Sequence, residues 1–397
     1  MAWWNNIKLK SKDPQVRRKA IEAIDLEREP DARLFEILSP MLEDEDGTVR
    51  GAAAKALGEV TDERVVHALV PLLRDSSVEA RQGAAIGIGA CGDPLATGPL
   101  AHCLKDPNLN VRAYAAASLR DLRWRPSSSE EQALYEIALG NTRAAMFQGN
   151  AAVNPLVSDL KNDTSFARRK AAEALEEVAD PRRVQPLLAA VCDSDSRVQV
   201  SAIHALAKVD DPQVTNALLK ALRDSEACVR LAAAIVLSRR EDPELVSHFL
   251  ERVEDDNFEV RLTSVKFLGR YSCPEIVQAL VGRLTDRDSD VRLAAATALG
   301  VIADPAAIEG LILTLLDEER TIREAAQTSL NQIDPSWDHS ESAQRAAPKL
   351  EAAMQERPAW VRAAASPVVA RLRGSQPEPE PGTDESQSGP LRMSQQI

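Results

Sequence analysis

Side chains that could do chemistry are few in this sequence, and they do not gather. Five cysteines (Cys91, Cys103, Cys192, Cys228, Cys273) form no Cys-x-x-Cys pair. Odd in number and scattered, they indicate neither a disulfide framework nor a thiolate metal site, and read as small buried apolar residues in a reducing compartment. No Ser, Cys or His stands beside a group that would activate it as a nucleophile. Gly87-Ile-Gly-Ala-Cys-Gly92 matches the dinucleotide fingerprint in its letters only. That fingerprint needs a strand before it and a helix opening from it, whereas these glycines close an Ala-rich helical run. What does recur is a charge pair. Arg50, Arg81, Arg112, Arg230, Arg261, Arg292 and Arg323 each have an Asp six residues earlier: Asp44, Asp75, Asp106, Asp224, Asp255, Asp286 and Asp317. An acceptor at a turn and a fork of donors at the start of the next helix can hydrogen-bond across a stack, repeating as a ladder. Charges of this kind are weak functional signals, so the ladder reads as structural. No catalytic, metal-binding or cofactor-binding residue is expected, and no cofactor.

The elements that must place these charges repeat every 31 residues, most regularly at Arg168, Gln199, Arg230, Arg261, Arg292 and Arg323. Arg112, Arg81, Arg50 and Arg17 extend the column backwards at intervals of 31, 31 and 33. A fixed period of this size marks an array in which each unit stacks on its neighbours to bury its apolar face. Each unit resolves into two helices. In Val291-Arg-Leu-Ala-Ala-Ala-Thr-Ala-Leu-Gly-Val-Ile the apolar positions 291, 295, 299 and 302 share one helical face, which is the second helix of a pair. Asp304-Pro305 then opens the first helix of the next, since Asp can cap free N–H groups and Pro is tolerated in a first turn. The same dipeptide stands in register at Asp180-Pro181, Asp211-Pro212 and Asp242-Pro243.

The pattern Asp-x-x-x-Val-Arg-x-x-Ala-Ala-x-Ala-Leu-Gly, with its intervening Asp-Pro and Leu-Leu helix, resembles HEAT repeats, and among them the short type of phycobilisome-lyase-like proteins. The resemblance covers roughly Asp13 to Arg373. It implies an all-α, right-handed α-solenoid of stacked antiparallel helix pairs, about eleven units by the arginine column. It also brings in two enzyme relatives. Deoxyhypusine hydroxylase, built on similar repeats, takes its iron ligands from His-Glu pairs, but here His67, His102, His204, His248 and His339 are followed by Ala, Cys, Ala, Phe and Ser. The neutral imidazole and carboxylate that a di-iron centre needs are therefore not paired. The bilin lyases handle a tetrapyrrole without a short motif that can be located here.

Regularity fails between Arg112 and Arg168, which lie 56 residues apart. The extra piece begins at Arg123-Trp-Arg-Pro-Ser-Ser-Ser, where Pro and serines break the helix and Ser129 can cap the next. The expected organisation is N-terminal repeats over 1–123, an irregular restart unit over 124–150, C-terminal repeats with a terminal cap over 151–373, and a disordered acidic Pro-rich tail over 374–397. The tail has no apolar set to bury, so deleting Gly374–Ile397 should leave the melting temperature unchanged. A clear fall on truncation would mean that it docks.

A net charge of −13 argues against nucleic acid or an anionic membrane as partner, since both need clustered Lys and Arg. No run approaches the roughly 20 apolar residues that span a bilayer, and the opening Met-Ala-Trp-Trp-Asn-Asn-Ile-Lys lacks a signal-peptide core. A cytoplasmic location is expected. On the second helices, the position after the arginine points away from the Val229, Ala233, Leu237 face. It holds Val200, Leu231, Leu262 and Leu293, with Ile235 one turn on. In HEAT-like folds this helix lines the concave side, so the stripe is a candidate partner groove, unless neighbouring second helices cover it. The expected function is a non-catalytic scaffold or adaptor binding a partner protein along that face. The alternative is a tetrapyrrole-handling, bilin-lyase-like subunit, or a diverged hydroxylase relative without the His-Glu motifs.

Overall fold

The computed structural model describes residues 8–26, 30–355 and 358–374, and the tail from residue 375 onward lies outside them. All regular structure among the described residues is helical. The chain divides into two compact units, Met1–Ala221 and Leu222–Ile397. Within each, short first helices alternate with longer second helices that stack on one another.

Capping explains where the helices begin. Four residues before the column position, Asp46, Ser77, Asn108, Asp195, Asn257 and Asp288 each accept backbone N–H groups of the second helix they open. A cap of this kind contributes about 1 kcal/mol. At the Asp-Pro steps, Asp180, Asp242 and Asp304 accept the N–H two residues on at 2.8–2.9 Å, and a turn of 3₁₀ helix leads into the first helix.

The second helices pack on small residues. In the first unit, Gly47–Leu57 and Val78–Ala90 approach so closely that a Cβ on Gly83 would lie 2.2 Å from the Gly51 carbonyl oxygen. A Cβ on Gly87 would lie 2.2 Å from the Ala54 oxygen. In the Gly-x-Gly-x-x-Gly stretch, Gly87 and Gly89 thus pack against neighbouring helices, while Gly92 takes the left-handed turn after the helix. One small module recurs in both units: Ser118 Oγ donates to Ala85 O at 3.0 Å, and Ser329 Oγ to Ala296 O at 2.8 Å. Gly89 and Gly300 make room for these hydroxyls, each of which would sit within 2.4 Å of an added Cβ.

In the second unit the core is Val229, Ala233, Leu237, Val291, Ala295 and Leu299, all fully buried, with Phe249 stacked on Phe267 at 4.1 Å. Its terminal pair, Glu341–Gln355 and Ala359–Leu372, closes over buried Trp337, whose ring lies 5.1 Å from the Arg371 guanidinium. In the stretch from 124 to 150, helices Ser129–Ala138 and Thr142–Met146 form. The cap of the first is Ser128, not Ser129: the Ser128 hydroxyl accepts Glu131 N–H at 3.1 Å.

Candidate functional site

Each of seven column arginines is a three-way clamp. Its Nε and Nη2 fork grips the carboxylate of the next unit's turn Asp, while Nη1 donates to the carbonyl six residues behind it. Arg50 reaches Asp75 at 2.8 and 2.6 Å and Asp44 O at 2.6 Å. Arg17–Asp44, Arg81–Asp106, Arg168–Asp193, Arg230–Asp255, Arg261–Asp286 and Arg292–Asp317 repeat this, with Nε to Oδ2 at 2.7–2.8 Å throughout. The partner is therefore the Asp 25 residues downstream in the regular units, while the Asp six residues upstream lends its main-chain oxygen. Two ladder positions end differently. Asp224 accepts Glu226 N–H at 2.9 Å, and Arg323 donates to Asp317 O at 2.7 Å while its guanidinium lies over Trp360. At the column's one non-arginine, Gln199 donates to Val191 O at 3.1 Å.

Electrostatics follow this geometry. The Arg50 fork holds the Asp75 carboxyl below the usual range. For Asp193, Asp255 and Asp286 burial is the largest influence and pushes upward, but the arginine fork and a backbone N–H together outweigh it and hold each below the usual range. The sign of the consequence is fixed. A carboxyl whose folded pKa is depressed contributes stability above its unfolded pKa of about 4, and that contribution disappears as pH falls through the folded value. The urea midpoint should therefore be steady from pH 7 to 5 and drop at pH 3; a midpoint unchanged at pH 3 would refute the ladder's role.

One rung departs from the rule. The column position that should receive Arg112 is Asn162, whose amide instead donates to Pro107 O at 2.8 Å and whose oxygen accepts Thr164 N–H at 3.1 Å. The carboxylate comes from Asp159, in the last turn of helix Val153–Asp159, through a single 2.6 Å bond to Nη1. Both side chains are buried, 7% and 6% exposed, and Nε and Nη2 of Arg112 have no acceptor among the described residues. Burial pushes Asp159 up, and the charge and single bond of Arg112 do not offset it. Asp159 was not identifiable from the column; the signal for it is the Asn at position 162, which leaves Arg112 needing a carboxylate from elsewhere.

The stripe is half-buried at Val200, Leu231, Ile235, Leu262 and Leu293. Leu262 and Leu293 come together in one open groove of about 520 Å³ between helices Phe258–Leu268 and Ser289–Ile302. Lys266, Arg270, Thr297 and Val301 also line it, Val301 being 69% exposed. Leu231 and Ile235 are not part of this groove, and Val200 belongs to the first compact unit.

A larger cleft of about 850 Å³ in the first unit runs along first helices and turns, past His102, Cys103 and Lys105. Its carboxylates Asp75 and Asp106 are committed to the ladder, and burial pushes the Cys103 thiol up to about 11, so it is not a thiolate at neutral pH. Cys192 and Cys228 are exposed, which corrects the expectation that the cysteines are buried. No three His, Cys, Asp or Glu side chains among the described residues are grouped so as to hold a metal ion, and no described helix is long and apolar enough to cross a membrane.

Two-helix units keyed together by buried Arg–Asp rungs define an α-helical repeat protein of the solenoid class. The chain belongs to the HEAT-repeat family, whose model matches residues 6–81, 66–144, 153–238, 188–260 and 246–331. No curated protein matches the sequence. Among solved structures, an engineered protein is similar at 21% identity, with 83% of this chain and 98% of that one covered and a TM-score of 0.40. The Escherichia coli protein YibA is similar at 16% identity, with 81% and 97% covered and a TM-score of 0.34. Human deoxyhypusine hydroxylase, in complex with glycerol, is similar at 21% identity, with 84% and 95% covered and a TM-score of 0.26.

Proposed function

We propose that this chain is a non-catalytic HEAT-repeat scaffold that binds a partner protein on the face lined by its second helices. Its 31-residue period suits the short, phycobilisome-lyase-like kind of repeat, with residues 124–150 acting as a unit that restarts the array. The observation that carries the reading is the groove of Leu262, Leu293 and Val301, an apolar surface left open where the ladder has already fixed the backbone. Exposed apolar ground of this kind, rimmed by polar residues, marks interaction surfaces.

The test is the variant Leu262→Ser/Leu293→Ser. Both leucines are only half-buried, so its melting temperature should stay near that of wild type, while capture of protein partners from native lysate is lost. Full core packing would instead cost roughly 2–5 kcal/mol at each site. A melt lowered to that extent assigns the leucines to the core and removes the groove from the binding face.

A further inference from the structure

We propose that the groove between helices Phe258–Leu268 and Ser289–Ile302 takes one amphipathic helix of a partner protein, with its apolar edge on Leu262, Leu293 and Val301 and its acidic flank on Lys266 and Arg270. This rests on the scaffold reading and names the partner's chemistry. Leu293, Thr297 and Val301 stand one helical turn apart, as do Leu262 and Lys266, with Arg270 in the turn that follows the Phe258–Leu268 helix, so the two walls are ridges that an incoming helix can mesh with. The Thr297 hydroxyl donates to Leu293 O at 2.8 Å, which satisfies it within its own helix and keeps that wall from demanding a polar partner.

Charge chooses the flank. In a chain of net charge −13 the nearby column arginines Arg261 and Arg292 spend their forks on the ladder, yet Lys266 forms no ion pair among the described residues. Arg270 is held in place without a carboxylate: its Nη1 donates to Ser238 O at 2.6 Å and its guanidinium lies 5.8 Å from the Phe267 ring. Two cations on one side of an apolar floor, and Asp290 on the other, favour a helix carrying Asp or Glu along one edge only. The 11-residue Phe258–Leu268 wall is about 16 Å long, which matches roughly three turns of a bound helix.

The experiment selects a displayed library of random 16-residue peptides on the full chain. The expected outcome is enrichment of peptides with apolar residues at i, i+3 or i+4 and i+7 and carboxylates on one flank. Binding of those peptides should weaken about tenfold or more in Lys266→Glu/Arg270→Glu at low salt, and should be undetectable in Leu262→Ser/Leu293→Ser. Circular dichroism confirms that both variants are folded. Enriched peptides that are neutral or basic, or that bind the charge-reversed chain as well as wild type, overturn the proposal. Displacement of the peptides by laurate at equal concentration also overturns it, by making the occupant a fatty carboxylate. If the enriched peptides ignore all four substitutions, the scaffold reading stands on another face and this inference falls. If no peptide enriches, this inference falls, and the scaffold reading rests on the Leu262→Ser/Leu293→Ser capture alone.

Discussion

Asp159→Asn is expected to destabilise the first unit by about 3–5 kcal/mol, the usual result of removing one partner from a buried ion pair. Arg112 would keep its charge at 7% exposure with no other ion-pair partner among the described residues, where its Nε and Nη2 already lack acceptors. The regular rungs show what it is missing. In them, Nη1 donates to the carbonyls five and six residues behind, as Arg168 does to Asp163 O and Asn162 O, leaving Nε and Nη2 for the carboxylate. At Arg112 the carbonyl five behind is Pro107 O, and the Asn162 amide occupies it. Asn162→Asp would release Pro107 O to Nη1 and supply the carboxylate at the position every regular rung uses. The double variant Asp159→Asn/Asn162→Asp should therefore recover most of the loss seen in Asp159→Asn alone. Urea unfolding of the three chains decides it. A single variant as stable as wild type, or a double variant no better than the single, would mean that the rung does not hold the unit across its irregular stretch.

Which features could be read from sequence depends on whether they repeat. The column recurs throughout and the Asp-Pro helix starts and the caps in many of the units, so a single register predicts most of them. In the regular units the true partner was latent in the same register: the Asp six before Arg81, Arg112, Arg261, Arg292 or Arg323 is also the Asp 25 after the previous column arginine. Asp159 escapes because it replaces a repeating residue from outside the register. The stripe's half-burial escapes for a different reason: helical angles describe one helix by itself, whereas the burial of Leu262 and Leu293 depends on how neighbouring second helices stack, which one helix's angles do not give. The exposure of Cys192 was legible after all. Cys192 precedes ladder residue Asp193, a slot filled by Arg74, Lys105, Arg223 and Glu254 in four other units and by buried Leu316 in another, so most of its neighbours in register mark it as facing water.

The second large effect is expected at the glycines between helices Gly47–Leu57 and Val78–Ala90. Gly83→Val should destabilise the first unit by more than about 4 kcal/mol, the range reserved for overpacking against atoms that cannot yield. A Cβ at Gly83 would stand 2.2 Å from Gly51 O and 2.6 Å from Gly51 Cα, so it meets main chain, which can retreat only if the whole helix does. Retreat is opposed on both sides. Arg50 and Arg81 tie the ends of these helices to the turns at Asp75 and Asp106, and Gly87 is equally tight against Ala54 O. Even Gly83→Ala should lose stability, although alanine in an unstrained helix interior gains up to about 1 kcal/mol over glycine. Gly98 and Gly282 supply the control. Both lie within helices, and an added Cβ at either meets nothing within 4 Å. Gly98→Ala and Gly282→Ala should therefore raise stability, each by about 0.4–1 kcal/mol. The four chains can be ranked in one urea series. A Gly83→Ala chain that gains stability as the controls do would show that the two helices can separate at little cost, and that the arginine ladder, not glycine-to-backbone contact, sets their distance.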